Sequence, residues 1–503
     1  MNHEPVRKVV IVGGGTAGWM AAAALSEFFK GLVEIELIES DDIGIVGVGE
    51  ATIPQIRLFT GLLGMDESEV LRHTHGTFKL GIQFRDWGRP GDVYMHAFGG
   101  IGARLGGLDF HHYWLRARAE GVAGKLADYS LNETAALADR FAHLERVPDS
   151  TLDGLVYAYH FDASRFAAYL RRYSEARGVR RTEGRVVDVA LREEDGFIAS
   201  VTLQDGPAIR GDLFIDCTGF RGVLIEEALQ TGYEDWSLWL PCDRAVAVPC
   251  AASGPPMPYT QATARTAGWQ WRIPLQHRVG NGHVFASEYL SEDEATAMLL
   301  DNLEGEPLAE PKVLRFRTGR RKQFWNRNCV ALGLASGFME PLESTSIHLI
   351  QTGISRLLEY FPRRGMDAVD VDEYNRRCTW EFERIRDFLI LHYRLNQRDD
   401  SPFWVDRRRM PVPAELHRRM DLFATNGRIH REFDELFTEV AWLQVMVGQG
   451  LQPASWHPLA DRLDRAQLKR FLDNIRTIIG GTAARLPKHA DFVAQHCASR
   501  SSE

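Results

Sequence analysis

The N-terminal segment of the chain has the most regular pattern of apolar and polar positions. Residues 8–12 (KVVIV) are a short β-branched run, residues 13–18 (GGGTAG) a glycine-rich break, and residues 19–25 (WMAAAAL) an apolar helical stretch. Residues 33–38 (VEIELI) then alternate and lead into Glu39. This order predicts a strand, a tight turn, a helix that ends near Gly31, and a second strand.

The glycine-rich break predicts a dinucleotide-binding turn. Its glycines allow backbone amides to approach a pyrophosphate, and the helix N-terminus offers N–H groups to the anion. Glu39 follows about 20 residues later, in the position of a ribose-binding acid. A bare structural turn is the alternative. The residues expected to bind the cofactor here are Gly13, Gly15, Thr16, Ala17, Gly18 and Glu39.

The pattern farther along the chain extends this unit. Residues 161–170 have helical periodicity, residues 184–191 and 197–203 flank a turn as a hairpin does, and residues 212–219 form a buried strand. A βαβ unit with later strands returning to its sheet is typical of FAD-binding proteins of the glutathione-reductase type, so FAD is predicted rather than NAD. The predicted fold class is α/β, with an interleaved substrate-binding part and a mainly helical C-terminal region.

The same pattern suggests approximate domain boundaries. Residues 1–90, 155–235 and 320–360 are expected to form the FAD-binding part. Residues 91–154, 236–319 and 361–503 are expected to form the substrate-binding part, with Pro- and Trp-rich strands and then long amphipathic helices. One composite domain is the alternative, because no repeat or low-complexity linker separates the two parts.

Composition and charge exclude several classes of function. The 503 residues are 45% hydrophobic, enough for a large core, and the net charge of −9 without a basic aromatic stretch argues against a nucleic-acid partner. Six cysteines without a Cys-x-x-Cys pair suit a reducing cytoplasm. No apolar stretch approaches the ~20 residues of a membrane span, so a soluble cytoplasmic protein is expected.

No metal site is predicted. His111 and His112 are adjacent, but neighbouring residues on a strand point apart and no third ligand stands at a recognisable spacing. Ordinary hydrogen-bonded histidines are the expectation.

Three motifs carry a resemblance to a known family. They are residues 76–81 (GTFKLG), residues 268–274 (GWQWRIP) and residues 340–345 (EPLEST). With the dinucleotide-binding turn, they resemble the flavin-dependent halogenases of the tryptophan halogenase family. The resemblance runs from about residue 7 to about residue 405.

The resemblance implies a particular reaction. Reduced FAD would come from a separate NAD(P)H-dependent flavin reductase. With oxygen and a halide, bromide or chloride, it would yield hypohalous acid, which halogenates a small electron-rich aromatic such as indole. A homodimer is left open.

Lys79 and Glu343 are the catalytic residues that the resemblance implies. Lys79 stands in an apolar alternating stretch, residues 78–84, which predicts burial. The lysine would hold the hypohalous acid by a hydrogen bond or as a haloamine. Burial lowers a lysine pKa, and only the neutral amine has the lone pair needed to form the haloamine. Glu343 would polarise the oxidant and accept the ring proton. The alternative is a buried Lys79–Glu343 ion pair.

Further site residues follow from the resemblance. Residues 46–54 (VGVGEATIP) would form a mobile segment along the flavin, and residues 332–341 lack the Asp with which aromatic hydroxylases hold FAD. Core packing remains the alternative for the two tryptophans. The expected cofactor contacts are Gly49, Ala51 and Leu334; the expected tunnel or substrate residues are His96, Phe98, Trp269, Trp271, Ile273 and Pro274; the expected halide residues are Thr345 and Ser346.

The C-terminal region departs from the family pattern. Free-tryptophan halogenases hold the amino acid with a tyrosine pair, but no tyrosine follows Tyr393 here, and Ser346 stands where Gly is common. An indole or a larger indole-containing substrate is therefore expected. The alternatives are an FAD-dependent aromatic monooxygenase, which would bind NAD(P)H itself, and a flavin-binding protein without turnover.

Overall fold

A computed structural model describes residues 5–41, 49–363 and 365–499 of the chain. Its first layer is a six-stranded sheet in the order β20-β21-β12-β1-β2-β8, in which only β20 is antiparallel. The apolar strand β1 is buried because it is paired with a strand on each side and covered by helices. The strands are β1 (Lys8–Val12), β2 (Glu34–Glu39), β8 (Arg180–Glu183), β12 (Leu213–Asp216), β20 (Trp325–Asn326) and β21 (Cys329–Ala331).

A seven-stranded, mostly antiparallel sheet forms the second layer. Its order is β18-β14-β17-β16-β15-β5-β6, so that β6 is an edge strand. The Trp-rich motif lies on β16, in the middle of this sheet. The strands are β5 (Gly81–Arg85), β6 (Val93–Ala97), β14 (Arg244–Cys250), β15 (Thr260–Arg265), β16 (Gly268–Pro274), β17 (Val279–Phe285) and β18 (Lys312–Arg315).

Three small sheets complete the β-structure. In the order β3-β7-β4, one of them brings the segment after the dinucleotide turn beside Lys79. The hairpin predicted after residue 184 is present in another. The strands are β3 (Glu50–Ala51), β4 (Thr77–Lys79), β7 (Ala158–Phe161), β9 (Val186–Leu191), β10 (Ile198–Leu203), β11 (Ala208–Arg210), β13 (Tyr233–Asp235), β19 (Gly319–Arg321) and β22 (Gly337–Phe338).

Helices cover the sheets and dominate the chain after α8. They are α1 (Thr16–Phe28), α2 (Ile56–Leu62), α3 (Glu67–His73), α4 (Phe110–Ala119), α5 (Leu131–Leu137), α6 (Ala163–Glu175), α7 (Glu292–Leu300), α8 (Ser346–Glu359), α9 (Ala368–Arg394), α10 (Pro402–Arg409), α11 (Ala414–Asn426), α12 (Glu439–Gly448), α13 (Arg465–Arg485) and α14 (His489–His496). Across the described ranges, none of the helices is long and apolar enough to cross a membrane.

The mixed α/β fold with a helical C-terminal region confirms the predicted fold class. One large cluster of buried residues extends from Val9 on β1 to Cys497 after the last helix. The strand β5, which the predicted division placed in the FAD-binding part, pairs with β15 of the seven-stranded sheet. The two parts therefore share strands and core.

Two local expectations differ from the structure. The first helix ends at Phe28, and Gly31 follows in the next turn with a φ of 73°. His111 and His112 lie on α4 and not on a strand, in a continuous run of buried residues from Phe110 to Ala117. The burial predicted for the stretch 78–84 is confirmed, and this stretch forms two strands that are separated at Leu80, where the chain passes from one sheet into another.

Candidate functional site

A cavity of about 830 Å³ runs from the end of β1 towards the Trp-rich strand. The dinucleotide turn forms one end, and the segment before α8 forms another wall. The predicted site residues that line it are Gly13, Gly15, Thr16, Ala17, Glu39, Gly49, Ala51, Leu334, Trp269, Trp271, Ile273, Thr345 and Ser346. A cavity of this size can hold a dinucleotide.

The turn has the geometry that a pyrophosphate needs. Helix α1 begins at Thr16, and a Cβ atom built on Gly15 meets nothing within 4 Å, so open space lies against the backbone. Gly18 lies outside the cavity lining, and a Cβ there would approach the Gly13 carbonyl oxygen to 1.9 Å. Gly15 thus leaves room for the anion, whereas Gly18 allows the helix to pack on the turn.

Glu39 lies where a ribose-binding acid is expected, at the end of β2. One of its oxygens accepts a hydrogen bond from Trp19 Nε1 at 3.2 Å, and the other contacts the Arg181 guanidinium. A Cβ on Gly14 would approach Glu39 Oε2 to 1.5 Å. Gly14, which the sequence reasoning passed over, is therefore needed to bring the carboxylate against the turn.

The segment after β2 is only partly described. Residues 46–48 of the expected mobile stretch lie outside the described residues, while Gly49 and Ala51 lie at the cavity wall. Glu50, between them, also lines the cavity, and burial raises the pKa of its carboxyl group to about 7. The sequence alone does not single out Glu50 within this stretch.

Lys79 is fully buried, and no carboxylate in the described part of the chain pairs with it. Its ammonium donates hydrogen bonds to the Thr52 carbonyl at 2.9 Å and to Ser344 Oγ at 2.8 Å. Burial lowers the pKa of Lys79 to about 7, although the charge of Glu343 acts in the opposite direction. No nitrogen–oxygen contact within 4.0 Å joins Lys79 to Glu343, so the structure does not support the alternative of a buried ion pair.

Glu343 is instead held between two histidines. Its Oε2 is 2.7 Å from His96 Nδ1, and its Oε1 is 2.8 Å from His392 Nε2, in an ion-pair contact that is not an aligned hydrogen bond. Burial raises the pKa of Glu343, but the charge of His96 and the contacts with both imidazoles outweigh it and lower the pKa to about 2. His392, far away in sequence on α9, was missed by the sequence reasoning.

The hydrogen bonds of His392 determine where its protons lie. Its Nδ1 is 2.9 Å from the Phe388 carbonyl oxygen and must carry a hydrogen, because a carbonyl can only accept. Its Nε2 faces a carboxylate oxygen of Glu343.

The two tryptophans of β16 lie together at the cavity wall. The ring centroids of Trp269 and Trp271 are 6.1 Å apart, and Trp269 Nε1 donates to Glu340 Oε2 at 2.6 Å. Tyr393 donates to the same oxygen, and burial raises the pKa of Glu340 to about 7 against the effect of these two bonds. Glu340 thus fixes the Trp269 ring, a role that the sequence reasoning did not find.

The other motif residues are distributed around these groups. Pro274 lies outside the cavity lining, and its carbonyl accepts from Thr77 at 2.7 Å. Ser344 has a left-handed φ of 59°, and α8 begins at Ser346 directly after the buried Thr345. Because Ser346 lies in the helix, its backbone does not require glycine.

His96 and Phe98 lie next to Glu343 and Lys79. His96 contacts Glu343, and the Phe98 ring centroid lies 5.4 Å from Lys79 Nζ. The Phe388 and Phe437 rings stack at 3.8 Å, with Phe437 6.1 Å from His96. The surroundings of His96 are therefore aromatic.

The adjacent histidines of α4 behave as ordinary hydrogen-bonded residues. His111 Nε2 donates to the Gly427 carbonyl at 2.8 Å, and His112 Nδ1 accepts from the His457 amide at 3.3 Å. Among the residues that the structure describes, no group of three side chains could hold a metal ion.

Comparison with known proteins agrees with this geometry. The tryptophan halogenase family matches residues 8–465. Tryptophan 6-halogenase SttH of Streptomyces toxytricini is 39% identical over 84% of each chain. Among solved structures, Xcc4156, a flavin-dependent halogenase from Xanthomonas campestris, is 50% identical with a TM-score of 0.96, covering 99% of this chain and 100% of that one.

A second solved structure is equally similar in fold. BrvH, a flavin-dependent halogenase from Brevundimonas sp. BAL3, is 49% identical with a TM-score of 0.94, covering 97% of this chain and 99% of its own. The range matched by the family, residues 8–465, includes the dinucleotide turn and all three motifs. The chain therefore belongs to the tryptophan halogenase family and is a flavin-dependent halogenase with FAD as cofactor and a halide as co-substrate.

Proposed function

We propose that this enzyme halogenates an indole or a larger indole-containing molecule with hypohalous acid that Lys79 directs. The observation that supports it most is the surroundings of the Lys79 amine. Its hydrogen bond reaches Ser344 in the wall of the cofactor cavity, and the Phe98 ring lies 5.4 Å away. The amine thus lies between the cofactor cavity and an aromatic wall.

Other residues of the cavity would bind FAD and the halide. Gly15 and the start of α1 would hold the pyrophosphate, Glu39 the ribose, and Gly49, Ala51 and Leu334 would contact the rest of FAD. FAD, delivered in reduced form by a separate flavin reductase, would supply the two electrons that reduce oxygen, and the activated oxygen would oxidise the halide to hypohalous acid, with water as the other product. Thr345 and Ser346 would receive the halide at the N-terminus of α8.

Lys79 suits the transfer of an oxidised halogen because its amine is uncharged in part of the population near neutral pH. Burial supports this state, and neither Ser344 nor the Thr52 carbonyl compensates a charge as a carboxylate would. Trp269 and Trp271 would keep the aromatic substrate away from the cofactor. Only the small oxidant would then pass to Lys79.

Glu343 would accept the proton that the ring loses. A low pKa keeps the carboxylate ionised, and a weak base suffices because a cationic ring is a strong acid. The contacts with His96 and His392 hold the carboxylate in place.

The proposed substrate class rests on the C-terminal region. No tyrosine follows Tyr393, and Glu435, two residues before Phe437, is paired with Arg419. A tryptophan zwitterion would bury a carboxylate and an ammonium without partners, and this is costly. Indole avoids that cost. Bromide is proposed to be used at least as well as chloride because it is easier to dehydrate and oxidise.

Reconstitution tests the proposal. The full chain is incubated with FAD, a generic flavin reductase, NADH, bromide and indole, and mass spectrometry detects bromine isotope patterns. Bromoindole that requires the reductase is expected. Hydroxylated product, with NADPH oxidised by the chain alone, would favour the monooxygenase, and flavin binding without product would favour a protein without turnover.

Competition assays test the finer choices. With indole and L-tryptophan at equal concentration, we expect faster halogenation of indole. With equal chloride and bromide, we expect bromination to equal or exceed chlorination. Predominant chlorination of tryptophan would contradict both expectations, whereas chlorination of indole would contradict only the second.

The division of the chain into an FAD-binding part and a substrate-binding part is a further part of the proposal.

A further inference from the structure

The edge strand β6 carries His96, and Phe98 follows directly after Ala97, the last residue of the strand. The Phe98 amide donates to the Leu80 carbonyl at 2.8 Å, and Ile82 of β5 pairs with His96. The backbone groups of Ala97, between them, therefore point away from β5, at the open edge of the sheet.

A side-chain amide from α12 satisfies both of these groups. Gln444 Oε1 accepts from the Ala97 amide at 2.6 Å, and Gln444 Nε2 donates to the Ala97 carbonyl at 3.1 Å. Gln444 is 4% exposed, so water does not offer an alternative partner. One side chain thus replaces the neighbouring strand that the edge lacks.

The end of α12 is docked against the same strand. A Cβ on Gly448 would approach Tyr94 Cγ to 2.4 Å, so helix and strand are in contact there too. Gln449 Nε2 also donates to the Tyr94 hydroxyl at 3.2 Å. Helix α12 therefore fixes β6 at Tyr94 and at Ala97.

We propose that Gln444 is a positioning residue that sets which ring carbon of the substrate faces Lys79. His96 contacts Glu343, and Phe98 lies beside Lys79, so both side chains move if the backbone at Ala97 moves. Displacement of a substrate by about 1 Å can cost a hundredfold in rate. The inference rests on the proposed function, since it concerns the orientation of an aromatic ring.

Two substitutions test the role. Gln444→Leu removes both hydrogen bonds at similar volume. Gln444→Glu keeps an acceptor for the Ala97 amide. The ionised carboxylate, however, places a second acceptor against the Ala97 carbonyl, where Gln444 has a donor. When protonated, the carboxylic acid can again donate and accept like the amide. The Glu variant should therefore recover as the pH falls.

The measurements are the ratio of bromination products and the split between KM and kcat. The substrate is 3-methylindole, whose blocked C3 leaves several ring carbons in competition. For Gln444→Leu we expect the isomer ratio to change by about fivefold or more and KM to rise, with hypobromous acid formation unchanged in a trapping assay. For Gln444→Glu we expect the isomer ratio to return towards that of the parent at low pH.

Gln449→Leu is the matched control, because it removes a buried amide of the same helix that contacts a side chain instead of the Ala97 backbone. It should leave the isomer ratio unchanged. An unchanged ratio and KM in Gln444→Leu, or a ratio that follows thermal stability equally in both Leu variants, would overturn the inference.

A further measurement separates this inference from the proposed function. If the parent enzyme brominates no indole, the proposed function fails. Hydrogen exchange at the Ala97 amide and a binding titration with 3-methylindole then decide the role of Gln444. Fast exchange with weakened binding in Gln444→Leu supports it, and slow exchange or unchanged binding contradicts it.

Discussion

The dinucleotide turn and the cluster around Lys79 are built in opposite ways. The turn acts through backbone groups and empty space, and its parts lie within residues 13–39. The cluster acts through side chains from β4, β6, the segment before α8, and α9. The first site is therefore sensitive to added bulk, whereas the second is sensitive to lost chemistry.

Within the cluster, Lys79 and Glu343 differ in how their surroundings shift their pKa values. Lys79 and Glu343 are both buried, yet only Glu343 has ionisable side chains, the imidazoles of His96 and His392, within contact distance. Burial therefore lowers the pKa of Lys79 to about 7, while the histidines lower that of Glu343 to about 2. One group is held near its titration point and the other is held ionised.

Removal of the Lys79 amine should have the largest effect. We expect Lys79→Ala to abolish arene halogenation while FAD binding and NADH-driven oxygen consumption of the coupled system persist, because the dinucleotide turn is untouched. Lys79→Met is the control for the cavity that Ala leaves. Product formation near the parent rate in either variant would remove Lys79 from the mechanism.

Gly15→Val tests the dinucleotide turn instead of the cluster around Lys79. The added side chain enters the open space at the turn, so we expect FAD affinity to fall by about a hundredfold or more, while the fold remains intact. Fluorescence titration with FAD measures it. Lys79→Met, which should bind FAD normally, is the reciprocal control. Unchanged affinity of Gly15→Val would place the pyrophosphate elsewhere.

Glu343→Gln should reduce halogenation by roughly 10²-fold, the scale of a removed general base. The amide can still accept a hydrogen bond from His96, but it cannot take a proton. Trapping of free hypohalous acid should continue at the parent rate. A Gln variant as active as the parent would leave Glu343 with a structural role only.

The two sites also differ in how far sequence reasoning reaches. The turn could be predicted because Gly13, Gly15, Gly18 and Glu39 act within one βαβ unit, in which spacing fixes geometry. Gly14 was passed over because its role depends on where the Glu39 carboxylate lies, which spacing does not give.

The cluster could be predicted only as far as the family motifs reach. Lys79 and Glu343 stand in such motifs, but the hydrogen bond from Lys79 to Ser344 and the contact of His392 with Glu343 depend on tertiary packing. His392 lies in a long amphipathic helix, where its residue type and spacing do not distinguish it from a core histidine. Gln444 gives no sequence signal because its partner is a backbone.

The titration of Lys79 predicts a moderate pH effect. With a pKa of about 7, the neutral amine increases about tenfold between pH 6 and pH 8, so product per hypohalous acid formed should rise and then level off above pH 8. The measurement is the ratio of haloarene to trapped hypohalous acid at each pH. A ratio independent of pH would show that the charged form serves equally.

The lowered pKa of Lys79 also affects stability. What favours the proposed chemistry here destabilises the folded state. The folded state holds the Lys79 proton more weakly than the unfolded state, so the penalty is full below about pH 7 and shrinks as the pH rises towards the unfolded value near 10.4. Lys79→Met should therefore be more stable than the parent at pH 7, with a smaller difference at pH 9. Denaturant unfolding at both pH values measures this.

Ser346→Gly should have the smallest effect, because it changes a side chain at a place where we propose that the backbone amide binds the halide. Ser346 begins α8, and the amide that would receive the halide is present with either residue. Glycine costs at most about 1 kcal/mol in a helix and less at its first position. We expect KM for bromide and for chloride to change by less than about threefold, or about 0.7 kcal/mol. A competition assay at equal halide concentrations gives the ratio directly. A larger shift towards chloride would mean that the Ser346 hydroxyl shapes the halide site. Side-chain chemistry would then matter in the wall of the cofactor cavity as well as in the cluster around Lys79.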